Sequence, residues 1–432
     1  MQMFETVKST LFSKLSELEQ RSSEFVMRPG HDFTRKRKLS FKAMIQLMLT
    51  MEGASLGKEL FEWSHFNQDT VSVSAFSQQR SKIRHEAFRW LFDEFQTAFP
   101  ASETFDGYRL LACDGTKINT PTDPNDEKSC FGKVNKNFNL YQMTALYNLC
   151  SRRYEDAVIK PGKESGECEP LITMLGRDRS DVKTIYIGDR RYESYNVFAH
   201  IEQKGRFYLI RVKDKDSNGI VGRSSIPQTN EFDIECQFIL TRKMTNEIKT
   251  QREQYRILNS QNGFDFIERY SDREYPMSFR IIRILVREGK YECLITNLPE
   301  KEFSAQRIKE LYGMRWGIET SFRLLKYGVC LTGFHGKKVE YIKQEIYARL
   351  LLYNFSALIT NHVVIPQKSQ KYVYQPNYTA AIRICRYYLR EQHDISPPDV
   401  EILISKHLLP VRKQRMAPRD VRAQRAKSFV YR

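Results

Sequence analysis

The 432-residue sequence has no run near the roughly 18 apolar residues needed to cross a bilayer, and its start, MQMFETVKSTLF, lacks an apolar signal region. A membrane span and secretion are not expected; a cytoplasmic location is. The eight cysteines, at 113, 130, 150, 168, 236, 293, 330 and 385, form no C-x-x-C pair, and the eight histidines include no H-E-x-x-H. Spacing gives no support to a zinc site, and reduced cysteines are expected. No internal repeat or low-complexity tract is visible, which excludes a solenoid. Acidic residues are in deficit: 52 Asp and Glu against 69 Lys and Arg give a formal +17. That balance suits a polyanionic partner such as nucleic acid or an anionic membrane face, and merely cationic proteins share it. With 41% hydrophobic and 12% aromatic residues the chain should fold, and its length allows two or three cores.

From Leu39 to about Phe99 the pattern is helical, with FKAMIQLMLTM as one stretch and SAFSQQRSKIRHEAFRWLFDEF as a second carrying Arg80, Lys82, Arg84 and Arg89. Residues 1–105 thus read as a helical region with a basic face. Four consecutive basic residues, Arg35 to Lys38, precede a helix and are read either as a solvated charge run or as a contact to a DNA backbone. Over 106–212 the texture becomes strand-rich: YRLLACDG, NFNLYQMTALYNLC, KTIYIGD and GRFYLIRV, with helices around EPLITMLGRD and SYNVFAHIEQK. The order predicts an α/β layer fold with a mixed sheet. Residues 213–292 alternate as hairpins do, with turns expected at Asn262-Gly263 and near Glu288 to Lys290, and read as an inserted β domain. Residues 293–360 read as the second part of the core, with helical pattern returning at Ser304, and 361–432 as a helical and basic tail.

The helix expected from Ser304 to Val329 carries the most information. At about 100° per residue, Leu311, Met314, Ile318, Phe322, Leu325 and Val329 form a core stripe. Tyr312, Arg315, Glu319 and Lys326 fall together on a polar edge beside it. Arg315 and Glu319 could simply form a surface ion pair at i, i+4. Alternatively, Glu319 binds a divalent metal while Arg315, Lys326 and Tyr312 hold phosphates, for which a guanidinium fork and an ammonium are suited.

The pattern Y-(2)-R-(3)-E-(6)-K within LYGMRWGIETSFRLLK resembles the signature of the IS-four family of bacterial insertion-sequence transposases. TNLP (296–299), LLACDGT (110–116), IYIGDRRY (185–192) and FTRKRKLSF are similar to further family segments, so the likeness touches most of the chain from about Phe33. It implies an RNase H-like mixed-sheet core interrupted by the β insertion and preceded by a helical DNA-binding region. It also implies a catalytic, metal-binding triad of Asp114, Asp189 and Glu319 with two Mg²⁺, Mn²⁺ being able to substitute. Magnesium favours hard oxygen ligands, and two ions about 3.5–4 Å apart can activate water, neutralise the phosphorane and assist the leaving oxygen. Both aspartates are read at the carboxyl ends of strands. Other acid pairs, Glu164 with Glu167 and Asp178 with Asp181, are read as loop charges. Trp316 and Tyr192 are weighed for base stacking against ordinary packing.

The expected function is cut-and-paste transposition: binding of double-stranded DNA at terminal inverted repeats, strand cleavage, and transfer into target DNA by a synaptic homodimer. The competing readings are a DNA-binding protein that kept the fold without the chemistry, and a plain magnesium-dependent nuclease.

Overall fold

Phe4, Val7, Leu11, Leu15 and Leu18 recur every three or four positions, which makes α1 (Met3–Gln20) an amphipathic helix that buries this stripe. The computed structural model describes residues 3–132, 137–164, 166–224, 226–251, 253–259, 263–365, 372–390 and 399–411. Asn262 of the expected turn and the basic tail from residue 412 onward lie outside them. Ser40 accepts the Ala43 N–H and starts α2 (Phe41–Thr50); α3 (Leu56–Trp63) follows. The second helical stretch is two helices, α4 (Val73–Arg80) and α5 (Glu86–Ala98). They separate because Lys82 and Arg84 exchange backbone hydrogen bonds with Met27 and Phe25, a strand-like bridge that a continuous helix could not make.

The strand-rich region folds as expected: β1 (Arg109–Thr120), the short β2 (Cys130–Phe131), β3 (Phe138–Asn148), β4 (Arg153–Pro161), α6 (Cys168–Arg177), β5 (Thr184–Gly188), α7 (Tyr195–Gln203) and β6 (Phe207–Val212). The sheet runs β4-β3-β1-β5-β6, with β3 antiparallel to β1 and β4, and β1, β5 and β6 parallel. This is the mixed sheet expected of the core. Residues 213–292 contribute β7 (Phe232–Thr241), α8 (Asn246–Thr250), β8 (Tyr255–Ile257) and β9 (Glu274–Arg287), and β10 (Lys290–Thr296) returns from them. Their strands continue the core sheet, in the order β6-β10-β9-β7-β8. The β9–β10 turn falls where expected, with Gly289 at φ +66°.

The stretch read as one helix is α9 (Ala305–Met314), α10 (Trp316–Arg323) and a π-helical turn over Leu324–Gly328. After it comes α11 (Val339–His362), whose side chains are almost entirely buried. Then β11 (Val373–Pro376), α12 (Tyr378–Arg390), α13 (Val400–Lys406) and β12 (Leu408–Val411) close the described chain. One sheet face shares a hydrophobic core with α1–α5 and α9–α13, the other with α6, α7 and the aromatics of the insertion. No helix is long and apolar enough to cross a membrane among the described residues.

Where α11 meets the amino-terminal helices, charge is buried and paired. Arg80 donates to Glu345 at 2.8 Å and to Gln344 at 2.9 Å. His335 lies 3.2 Å from Glu345 and 3.8 Å from Glu59, which also faces Arg390 at 3.3 Å. The Arg349 guanidinium caps the carbonyls of Met51 and Glu52. Arg80 is therefore not part of a basic DNA-facing surface, and Arg89 is tied to Asp93 and Asp156. Of the four cations read on that face, Lys82 is half-buried and Arg84 exposed.

Candidate active site

Asp114 does not end its strand, as the sequence reading had it. β1 pairs with β3 as far as Thr120, but with β5 only from Arg109 to Cys113. Asp114 is thus the first residue beyond the end of β5, where the sheet opens. Gly188 ends β5 opposite Cys113, and Asp189 follows at once. Its carboxylate accepts the Arg191 N–H at 2.9 Å and so caps a 3₁₀ turn over Arg190–Tyr192. Gly188 has a steric role, because a Cβ there would come within 2.8 Å of the Tyr192 ring and 2.9 Å of Ile210. Tyr192 is fully buried beneath the turn, which assigns it to packing.

Glu319 arrives on α10, whose Ile318 and Phe322 are buried against the sheet. The helix sits close: a Cβ on Gly317 would lie 2.8 Å from Leu149. Arg315 joins the acids, with its guanidinium 2.9 Å from Glu319 Oε1 and 3.8 Å from Asp114 Oδ2. The Asp114 carboxyl is pushed up to about 6 by burial; the Gly115 N–H and Arg315 oppose this, while the charges of Asp189 and Glu319 add to it. The three acids, 205 residues apart from first to last in sequence, are electrostatic neighbours.

The donor set fits divalent cations. Two of the three carboxylates face the Arg315 guanidinium, and hard oxygens with excess negative charge are what Mg²⁺ or Mn²⁺ requires. The acids stand wider than a closed single-ion cage. Among the described residues, His85, Glu86 and Glu340 form the one group of three whose ligand atoms all lie within 4.8 Å of one another. There Glu340 accepts the His85 N–H at the start of α5, a capping arrangement.

The four residues expected on one polar edge do not share it. Tyr312 and Arg315 are 5% and 4% exposed, so that edge is interior. Burial pushes the Tyr312 hydroxyl up to about 12, and neither it nor Arg315 Nε has a hydrogen-bond partner among the described residues. The Arg315 guanidinium lies 5.7 Å from the Tyr312 ring and 5.2 Å from that of Trp316, which is exposed. Lys326 sits in the π turn, whose wider winding breaks the 100° spacing on which its alignment rested. It is half-buried, and burial holds its ammonium below the usual range. The apolar stripe is as expected, with Leu311, Ile318, Phe322, Leu325 and Val329 buried and Met314 partly so. The TNLP segment is structural: Asn297 bonds the Tyr208 N–H and the Arg206 carbonyl, locking the exit of β10 to β6.

Glu167, read as a loop charge, belongs to this neighbourhood. Its side chain is 8% exposed, and Oε1 accepts from Gln142 at 3.1 Å and from Arg191. A Cβ on Gly115 would lie 2.3 Å from Gln142 and 2.9 Å from Glu167. The sequence signal was that glycine beside Asp114, which marks a close approach and not a turn.

The family model described as "Transposase DDE domain" matches residues 106–355, more than half of the chain. Over 73 residues the chain is 36% identical to the putative transposase InsL for insertion sequence element IS186A of Escherichia coli (strain K12). The transposase for insertion sequence element IS421 of Escherichia coli matches equally, at 36% over 73 residues. These stretches cover 17% of this chain and 19% of either relative, about a fifth of their length. A piggyBac transposase, solved by cryo-EM as a synaptic complex with hairpin DNA, superposes with a TM-score of 0.45 and 10% identity over 88% of this chain and 77% of that one. On the match across 106–355, which contains all three acids and the sheet that gathers them, the chain belongs to the transposase DDE domain family.

Proposed function

We propose that this protein is an insertion-sequence transposase of the IS-four type, which binds the terminal inverted repeats of its element, cleaves the DNA strands there and joins them to target DNA. The observation that carries the reading is the meeting of Asp114, Asp189 and Glu319 at the open edge beside β1, with Arg315 between two of them. The three acids would hold two Mg²⁺, or Mn²⁺ in their place. When bound, such ions supply an activated water and neutralise the charge that grows on the phosphorane.

The chain's own residues set the geometry. Asp114 is placed by strand pairing on both sides of Cys113, and Asp189 by its cap on the 3₁₀ turn, so neither needs to search for its position. Arg315 is pre-aligned by Glu319 and by stacking between Tyr312 and Trp316, and its fork is offered to a phosphate of the bound strand. Lys326, half-buried in the π turn, adds a second cation for the same strand, while the buried Tyr312 ring supports the Arg315 guanidinium. Trp316, exposed beside Arg315, offers an apolar face on which a terminal base can stack. The exposed run Arg35 to Lys38 supplies backbone contacts to the repeat, and two protomers acting on two ends make the synaptic dimer.

The test is to incubate the full-length protein with Mg²⁺ and DNA carrying the ends of its own element. Cleavage followed by joining supports the reading. Cleavage without joining reduces it to a nuclease, and end binding without cleavage to a DNA-binding protein.

A further inference from the structure

Arg191 lies two residues after Asp189, beside the exposed Arg190, and it is pinned at three points that leave its guanidinium on a different acid. Its N–H is given to Asp189 at 2.9 Å, its carbonyl accepts from the Cys168 thiol at 3.3 Å, and its guanidinium is bound by Glu167. Glu167 and Cys168 begin α6, so the start of that helix grips the turn that presents Asp189. Glu167 is fixed in turn by Gln142 of β3, and both crowd Gly115, leaving no room for a side chain next to Asp114. More than nine-tenths of the Glu167 side chain is buried, and its second oxygen, Oε2, has no hydrogen-bond partner among the described residues. A buried carboxylate with one oxygen unsatisfied is costly, and a stabilising role alone does not explain its place beside a site already rich in acid.

What it does explain is the fate of Arg191. That guanidinium feels the charges of Asp189 and Asp114 as well as that of Glu167. Released from Glu167, it would have two carboxylates within electrostatic reach and would pair with the ligands that a metal ion needs. We propose that Glu167 is a positioning residue that sequesters Arg191, keeping Asp114 and Asp189 open to a divalent cation. The inference rests on the assignment of Asp114 and Asp189 as metal ligands.

The experiment measures binding of Mn²⁺ alone to the full-length protein by electron paramagnetic resonance. Glu167→Gln, which keeps the shape and the Gln142 contact, should weaken Mn²⁺ binding by about tenfold or more, the usual scale for groups that orient metal ligands. Arg191→Gln should bind at least as well as the parent. The double variant E167Q/R191Q should return to within about threefold of the parent, since removing the competing cation makes its keeper dispensable. A structural role for Glu167 would give no such rescue, so a double variant as weak as E167Q overturns the proposal, as does parental binding by E167Q. Asp114→Asn serves as the reference. If it too binds Mn²⁺ like the parent, the metal-site assignment itself fails, whereas loss in Asp114→Asn with parental binding in E167Q removes this proposal alone.

Discussion

Two clusters of acidic and basic side chains gather beside α10 and α11, and they are opposite in design. Around α11, Glu345 is wholly interior but answered by Arg80, His335 and Arg349, and it is held well below the usual carboxylate range, at about 2, by these neighbours acting against burial. At the open edge of the sheet, Asp114 has one ion-pair partner among the described residues, Arg315 at 3.8 Å, shares it with Glu319, and is pushed up to about 6. Burial acts on both; the count of opposite charges decides the sign. A cluster that closes its own charge balance joins parts of the fold, and one that leaves a negative balance invites a cation.

The comparison breaks most visibly in activity. Asp189→Asn or Glu319→Gln is expected to lower cleavage of element-end DNA by on the order of 10³-fold or more while leaving end binding within a few-fold, as measured by gel cleavage and mobility shift. Normal cleavage by either variant would remove the metal assignment. Glu345→Ala should do the reverse, costing about 3–5 kcal/mol of stability in urea unfolding by stranding Arg80 and His335, without creating or removing a metal ligand.

Next in size is the response to pH. The folded-state value of Glu345 lies below its ordinary 4.5, so its contribution is complete above about pH 4.5 and is lost as pH falls towards 2. Asp114 runs the other way. Its value is raised from 3.8 to about 6, so the folded state holds the proton more tightly, and that contribution is present below about pH 4 and lost as pH rises through 6. Asp114→Asn should therefore stabilise the metal-free protein at pH 7.5 by roughly 1–2 kcal/mol in thermal unfolding, while Glu345→Gln should destabilise it. Equal signs for the two would sink the contrast. The smallest effect belongs to Trp316→Ala, which should stay within about 0.5 kcal/mol of the parent in stability, because the ring is half exposed, yet weaken binding to frayed element ends several-fold.

The mixed sheet was legible because strands and helices between 106 and 212 alternate with distinct periods, and Asp189 because it follows a short apolar strand directly. Glu319 was singled out by its spacing from Tyr312, Arg315 and Lys326, of which the structure keeps only the Arg315 pair beside it. What escaped was three-dimensional in origin. The π turn at Lys326 and the burial of Tyr312 and Arg315 depend on how α9 and α10 lie on the sheet, which a helical wheel does not contain. Arg80 looked like a surface cation because its partner, Glu345, lies 265 residues away. Glu167 looked like a loop charge because the turn it grips is brought to it by α6 and β5, and the insertion looked like a separate domain because alternation does not say which strand pairs with which.

The unbroken sheet also sets an order of events. As the chain leaves the ribosome, both aspartates are made by residue 189, and Glu319 is made 130 residues later. Between them in the chain lie β9 and β10, and β10 pairs with β6 across about 80 residues of sequence. Such non-local pairing is slow compared with the local strands and helices around the aspartates. A nascent or truncated chain would therefore carry two of its three acids in place yet lack the third. The insertion delays the gathering of the three acids until nearly all of the region from 106 to 355 has folded.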